Sequence, residues 1–390
     1  MRSAVARLVG EPERFLDGVF GVAPLHLAGA DDAGFADVLR LDDVDTIVAA
    51  SGLRAPAFRL VKAGATLPTS RVTRRVRIGS RPVDDLVDVA AVHAEFADGA
   101  TIVLQGLHRS WPPVAELCRT LEAELTHPVQ ANAYLTPPVA QGLDLHEDAH
   151  DVFALQTHGV KRWVVHPPTG GAPWDLTLHP GDVLYLPAGT RHAAQTVEEA
   201  SLHLTLGVRT VDWADALQRV VEEVVARHRP PGPLPAGWAD HPGAHAATLA
   251  GHLAELAAGL RSVDAADAEH ALGGLAEAFF GGRAPDHRGG LRDLLEVGSI
   301  DDDTPLRRRQ GAVARLGVAD DGRPELRLTD RRLRFPTGLD DALRGALESP
   351  SLRPGELASH LDAPGRLALC RRLVREGLFT IDRGSGEAGE

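Results

Sequence analysis

Four runs decide the fold: VQANAYLTP (129–137), DVFALQTHGVKRWVVHP (151–167), WDLTLHPGDVLYLPAG (174–189) and ASLHLTLGVR (200–209). Each is rich in aliphatic, aromatic or β-branched residues, and Gly- or Pro-containing turns separate them, the signature of short strands. His158-Gly159 sits between two apolar runs as expected of a hairpin, and Pro180-Gly181-Asp182 marks another. Several strands joined this way predict an antiparallel sandwich or barrel over residues 128–209. In the first run Asn132, Tyr134 and Thr136 alternate with Ala133, Leu135 and Pro137. In the last, Ser201, His203 and Thr205 alternate with Leu202, Leu204 and Leu206. Strand side chains alternate faces, so each run has one polar face. Turned inward, such faces build a site; turned outward, they meet solvent.

Upstream, AFRLVKAG (57–64) and ATIVLQG (100–106) read as strands, and VAELCRTLEAEL (114–125) repeats apolar residues at helical spacing. Downstream, the period becomes 3.6. Trp213, Leu217, Val220, Val221, Val224 and Val225 form one helical stripe, and Leu249, Leu253, Leu256 and Leu260 form another. The proline-rich connector 228–243 lies between them. These stripes serve either packing or self-association. The last hundred residues predict helices at 340–349, 355–361 and 365–377 and a strand at 378–382, an order like that of a winged helix. Three domains result: 1–210, 211–290 and 291–390.

The 390 residues are 44% hydrophobic and 24% charged, an ordinary globular composition with ample material for a core. With 41 basic against 54 acidic residues, the chain carries −13, which disfavours nucleic acid and acidic lipid as partners. Residues 291–390 hold 17 basic and 18 acidic side chains, so this domain is expected to contact protein rather than DNA. No apolar run approaches the ~18 residues of a membrane span. The N-terminus lacks a signal-peptide core, and Cys118 and Cys370 are too few for a disulfide framework. A cytoplasmic protein is expected. Among the basic residues only Lys62 and Lys161 are lysine, so against this arginine background a lysine is informative.

The chemistry concentrates in LDLHEDAH (143–150). On a strand, His146 and Asp148 would point the same way. With a second histidine from a later strand they would form a 2-His-1-carboxylate triad, which leaves open positions on Fe(II). His192, in GDVLYLPAGTRHAAQT, is the best placed. His150 shares the face of His146 and Asp148, and Glu147 is a further carboxylate. Among 18 histidines some H-x-D pairs arise by chance. Lys161 follows the turn after the motif strand, and a buried cation there is costly unless it meets an anion; the alternative is a surface lysine. The distal carboxylate of 2-oxoglutarate would be such an anion.

These segments resemble the ribosomal oxygenases, Jumonji-C-type cupin hydroxylases dependent on Fe(II) and 2-oxoglutarate. The resemblance carries NAYLTPPVAQGLDLHEDAHDVFALQTHGVKRW, PGDVLYLPAGTRHAAQT and SLHLTLGV, and the flanking elements occur in the same order. It implies a mainly β fold with α elements: a double-stranded β-helix core, a helical dimerisation segment and a C-terminal winged-helix-like domain. It implies iron ligands at His146, Asp148 and His192. It implies 2-oxoglutarate contacts at Lys161, Asn132, Tyr134 and Thr205, and a substrate pocket reaching His203, Ser201 and Gln141. Gly207 falls near a position that is serine in some members, so one hydrogen bond to the co-substrate is in doubt.

The expected function is side-chain hydroxylation, at the β-carbon of an arginine or histidine, in a protein substrate such as a basic ribosomal protein. Dioxygen is the second co-substrate, and 2-oxoglutarate leaves as succinate. The alternatives are the same chemistry on a biosynthetic peptide or free amino-acid-like molecule, and a non-catalytic cupin that binds a ligand. A homodimer is expected.

Overall fold

The computed structural model describes residues 3–138, 144–168, 170–196, 198–283 and 285–384. They form two compact units, residues 1–210 and 211–390.

In the first unit, helices α1 (Ala4–Val9), α2 (Pro12–Gly18), α3 (Leu41–Ala50), α4 (Val89–Ala97) and α5 (Pro112–Leu125) surround a β core. Helix α5 starts on Pro112-Pro113, where a missing N–H costs nothing, and buries Val114, Leu117, Cys118, Leu121 and Leu125 on one stripe. Its strands are β1 (Leu25–Leu27), β2 (Phe58–Lys62), β3 (Ala65–Thr66), β4 (Thr73–Ile78), β5 (Arg81–Val87), β6 (Thr101–Leu104) and β7 (Val129–Thr136). There follow β8 (Asp151–His158), β9 (Lys161–His166), β10 (Trp174–Leu178), β11 (Val183–Leu186), β12 (Arg191–Thr196) and β13 (Ser201–Val208).

The larger sheet runs β1-β11-β8-β13-β7-β6-β2-β3, the smaller β10-β9-β12, and β4-β5 is a separate ribbon. Period-two alternation divides the residues of the large sheet between two cores. Phe153, Leu155, Val183, Tyr185, Leu204 and Leu206 join the core that includes the helices. Val152, Ala154, Leu184 and Leu186 pack instead with Trp163, Val165 and Leu178 of the small sheet. The two sheets therefore face one another, and the polar residues of β7 and β13 lie on the faces opposite the helix-packed leucines.

Two expected hairpins are not hairpins. β8 pairs with β11 and β13, whereas β9 pairs with β10 and β12, so His158-Gly159 carries the chain from one sheet to the other. Pro180-Gly181-Asp182 does the same between β10 and β11. Gly159 has φ +61°, and a Cβ there would lie 2.0 Å from the Ala200 carbonyl oxygen; only glycine fits that crossover. The local turn signal was real, but it does not say whether the strands on either side pair.

The second unit contains helices α6 (Trp213–Arg227), α7 (Ala246–Arg261), α8 (Ala265–Gly282), α9 (Gly290–Glu296), α10 (Asp340–Glu348) and α11 (Ala363–Arg375). Asp212 and Asp264 begin α6 and α8 with reciprocal capping boxes. Its strands are β14 (Leu306–Arg308), β15 (Ala314–Val318), β16 (Pro324–Leu328), β17 (Arg332–Arg334), β18 (Ser351–Leu352) and β19 (Phe379–Ile381). They make two small sheets, β18-β14-β19 and β15-β16-β17. The helix expected at 355–361 is instead one 3-10 turn, Pro354–Leu357. No described helix is long and apolar enough to cross a membrane.

Candidate metal centre

His146 and His192 face each other across an isolated antiparallel bridge. The His146 amide donates to the His192 carbonyl at 3.0 Å, and the His192 amide donates back at 2.8 Å. Directly opposed residues project from the same face, which brings the rings to 4.4 Å between centroids. Asp148 does not sit on a strand with His146, as the alternation argument assumed. It follows in an irregular segment, fixed where its carbonyl accepts from the Gly189 amide at 2.8 Å. Its Oδ2 lies 3.7 Å from His192 Nε2. The ligand atoms of all three residues lie within 4.8 Å of one another, and this is the one such cluster among the described residues.

The donor set fits one divalent ion. His146 Nδ1 lies 2.7 Å from the Asp144 carbonyl, and His192 Nδ1 lies 2.9 Å from the Thr190 carbonyl. A ring that donates Nδ1–H to a carbonyl keeps its Nε2 lone pair free for a metal, and such contacts fix the orientation of ligand imidazoles. Burial, before its neighbours, depresses the His192 pKa, which favours the neutral form that ligates. Two imidazoles and a carboxylate on one side of an ion are the facial set of non-haem Fe(II) sites.

The triad opens into a cavity of about 160 Å³ between the sheets. Lys161 is on its wall, 2% exposed. Its Nζ donates to Thr136 Oγ1 at 3.2 Å and lies 3.4 Å from His203 Nδ1. Among the described residues no carboxylate pairs with it. Burial lowers its pKa to about 7. His203 is pushed well below its usual range by burial and then by Lys161, so it stays neutral and accepts from the ammonium. Its ring stacks on Tyr134 at 4.8 Å and 6°, which fixes its plane. A buried, uncompensated cation at a small cavity fits a compact dicarboxylate.

Of the other sequence candidates, Tyr134, Thr205 and His203 line this cavity. Asn132 stands behind the wall: its Oδ1 accepts from the Gly106 amide at 2.9 Å, and its side chain hydrogen-bonds Tyr134. Ser201 is held by Gln156 Nε2 at 2.8 Å. Gln141 lies outside the described residues. His150 stays out of the triad and packs over β13, where a Cβ on Gly207 would come within 2.5 Å of its Nε2. Thr136, on the polar face the sequence marked, is on the wall too, whereas sequence reading missed Arg59, Thr101 and Trp163 there. Period two from Lys161 points to Trp163, whereas Arg59 arrives through pairing of β2 with β6, which no local signal reports. A larger groove of about 890 Å³, lined by Arg7, Asp31, Asp37 and Glu116, has no histidine.

The JmjC domain family model matches residues 108–174 and 170–216, a span that holds the triad and Lys161. Residues 108–216 are thus similar to the JmjC domain. The chain is 32% identical over 158 residues to the bifunctional lysine-specific demethylase and histidyl-hydroxylase NO66 of Drosophila mojavensis, covering 35% of this chain and 18% of that one. The protein of the same name from Branchiostoma floridae is 35% identical over 134 residues, covering 34% and 22%. The chain thus spans about a fifth of the length of these curated relatives. In fold, the chain is similar to the Escherichia coli ribosomal oxygenase YcfD, with a TM-score of 0.53 and 18% identity over 95% of this chain and 98% of that one. A structure of YcfD in complex with cobalt and 2-oxoglutarate matches at 0.51, again at 18% identity and with the same coverage.

Proposed function

We propose that this protein is an Fe(II)- and 2-oxoglutarate-dependent oxygenase that hydroxylates a protein side chain, of arginine or histidine type, in a ribosomal protein. The observation that carries this reading is one cavity holding both a 2-His-1-carboxylate donor set and a buried cation with no carboxylate partner. The NO66 and YcfD likenesses support protein hydroxylation as the chemistry. His146, Asp148 and His192 would hold the iron, and Lys161 the distal carboxylate of 2-oxoglutarate. When bound, the metal and co-substrate supply oxidising power from dioxygen, inserting one oxygen atom into a C–H bond while 2-oxoglutarate becomes succinate and carbon dioxide.

The chain's own residues set the conditions. Two carbonyls fix the imidazole orientations, the Lys161 ammonium orients the diacid, and neutral His203 holds a lysine proton without adding charge. Trp163 and the aliphatic wall keep bulk water from the centre. The acidic body attracts a basic substrate segment. We further propose cytoplasmic location and homodimerisation through residues 211–290, where Trp213, Leu217, Leu249 and Leu253 are 79%, 65%, 60% and 55% exposed in the single chain. In this reading residues 291–390 are a winged-helix-like, protein-contacting part.

Mass spectrometry of ribosomal proteins from cells with and without this protein tests the substrate. A +16 Da increment present only with the protein supports the reading. Iron-dependent succinate formation with no ribosomal +16 Da species would move the substrate to a biosynthetic peptide or free amino acid.

A further inference from the structure

Five of the eighteen basic residues within residues 1–210 fall between 71 and 81, and no acidic residue lies between 71 and 83. This segment forms most of the β4-β5 ribbon, which joins neither barrel sheet. Val72 and Val87 bury its base in the core, and Val76 opposes Val83 half-way along. Beyond them every residue from Arg77 to Pro82 is exposed, Ile78 by 66%. The ribbon is anchored at one end and projects at the other.

Charge compensation along the ribbon is incomplete. Arg71 pairs with Glu95 at the base, and Arg75 with Asp84 at 2.9 Å. Among the described residues no carboxylate pairs with Arg74, Arg77 or Arg81; Arg77 reaches only the Ser80 carbonyl, at 3.4 Å. Register sets Arg77 opposite Pro82 and Ile78 opposite Arg81, so two unpaired guanidiniums flank one tight turn. Directly opposed residues share a face, so Arg81 lies with Ile78 and Arg77 with Pro82, one unpaired guanidinium on each face of the tip. Charges that merely protect an edge strand need no such concentration. A backbone of regularly spaced phosphates can supply a partner for each fork.

We propose that the β4-β5 ribbon docks on RNA, with Arg74, Arg77 and Arg81 each taking a backbone phosphate and Ile78 lying against the sugars. The choice of RNA rests on the ribosomal-protein reading above. The net charge of −13, which argues against nucleic acid for the chain as a whole, averages out this local exception.

The test is fluorescence anisotropy of the full chain with a labelled RNA stem-loop at several salt concentrations. Iron and 2-oxoglutarate are omitted, so the result is independent of oxygenase activity. Three phosphate contacts predict a slope of log K against log salt of about −2 to −3. Arg74→Ala/Arg77→Ala/Arg81→Ala should remove most of that slope, with circular dichroism and Tm unchanged. The corresponding triple lysine variant should keep it, and Arg75→Ala should change it by less than about 1. The proposal is overturned by no RNA binding at low salt, or by a triple alanine variant that binds like wild type. Equal affinity for duplex DNA or for polyglutamate also overturns it, the latter pointing to an acidic protein instead.

Discussion

Lys161 sets the pH signature of the site. Burial lowers its pKa from 10.5 to about 7, and a bound carboxylate raises it again. Binding a diacid above pH 7 therefore takes up a proton. Affinity should fall as pH rises from about 7 towards the bound pKa, by up to about tenfold per unit. The ligand-free protein has the opposite sign. Its unfolded chain holds the extra proton between about 7 and 10.5, so this residue makes stability rise with pH across that window. Titration with 2-oxoglutarate from pH 6 to pH 9 checks the affinity profile. Lys161→Ala removes a charge-assisted contact of roughly 1.5–3 kcal/mol and should weaken binding about 10- to 150-fold. Lys161→Arg stays charged and should flatten the profile. If neither variant changes affinity, the carboxylate lies elsewhere, with Arg59 the next cation on the wall.

The ligand assignments divide residues that share one short segment. Asp148→Ala should abolish iron binding, because two imidazoles alone leave the facial set incomplete. His150→Ala should retain iron near the wild-type level; metal analysis of the purified variants decides both. Gly207 and His150 form a coupled pair. A side chain at 207 would meet His150 Nε2 at 2.5 Å, so Gly207→Ser should destabilise by about 1–3 kcal/mol. Adding His150→Ala should recover most of that loss in thermal melts. Independent, additive losses would place the ring elsewhere.

At the scale of elements, strands were legible wherever period two or β-branched clustering was local. AFRLVKAG, ATIVLQG and the four central runs all contain strands. Their partners were not legible. The turn at His158-Gly159 looks the same in sequence whether it closes a hairpin or crosses between sheets, and pairing with strands farther along the chain decides which. The triad was found by an argument whose premise was partly mistaken. His146 occupies only an isolated bridge, and Asp148 reaches the site from a loop held by Gly189. The residue types were sufficient because the chemistry needs two imidazoles and a carboxylate whatever backbone carries them. Lys161 was legible for a different reason: in a chain whose cations are almost all arginine, its burial was the more informative outcome.

At the scale of the molecule, α6 and α7 carry apolar side chains that the single chain leaves uncovered. Light scattering of the intact protein should report about twice 41.4 kDa, and Leu253→Asp/Leu256→Asp should shift it towards monomer. A wild-type monomer would remove residues 211–290 from any interface role. The account as a whole depends on iron and 2-oxoglutarate sharing one cavity. The most direct test is anaerobic titration of the Fe(II)-loaded protein with 2-oxoglutarate, following the visible absorption that a 2-oxo acid develops when it chelates ferrous iron. One equivalent should saturate the band in wild type, Lys161→Ala should need about 10- to 150-fold more, and His192→Ala should show none. Iron bound in wild type with no band at any 2-oxoglutarate concentration would contradict the account.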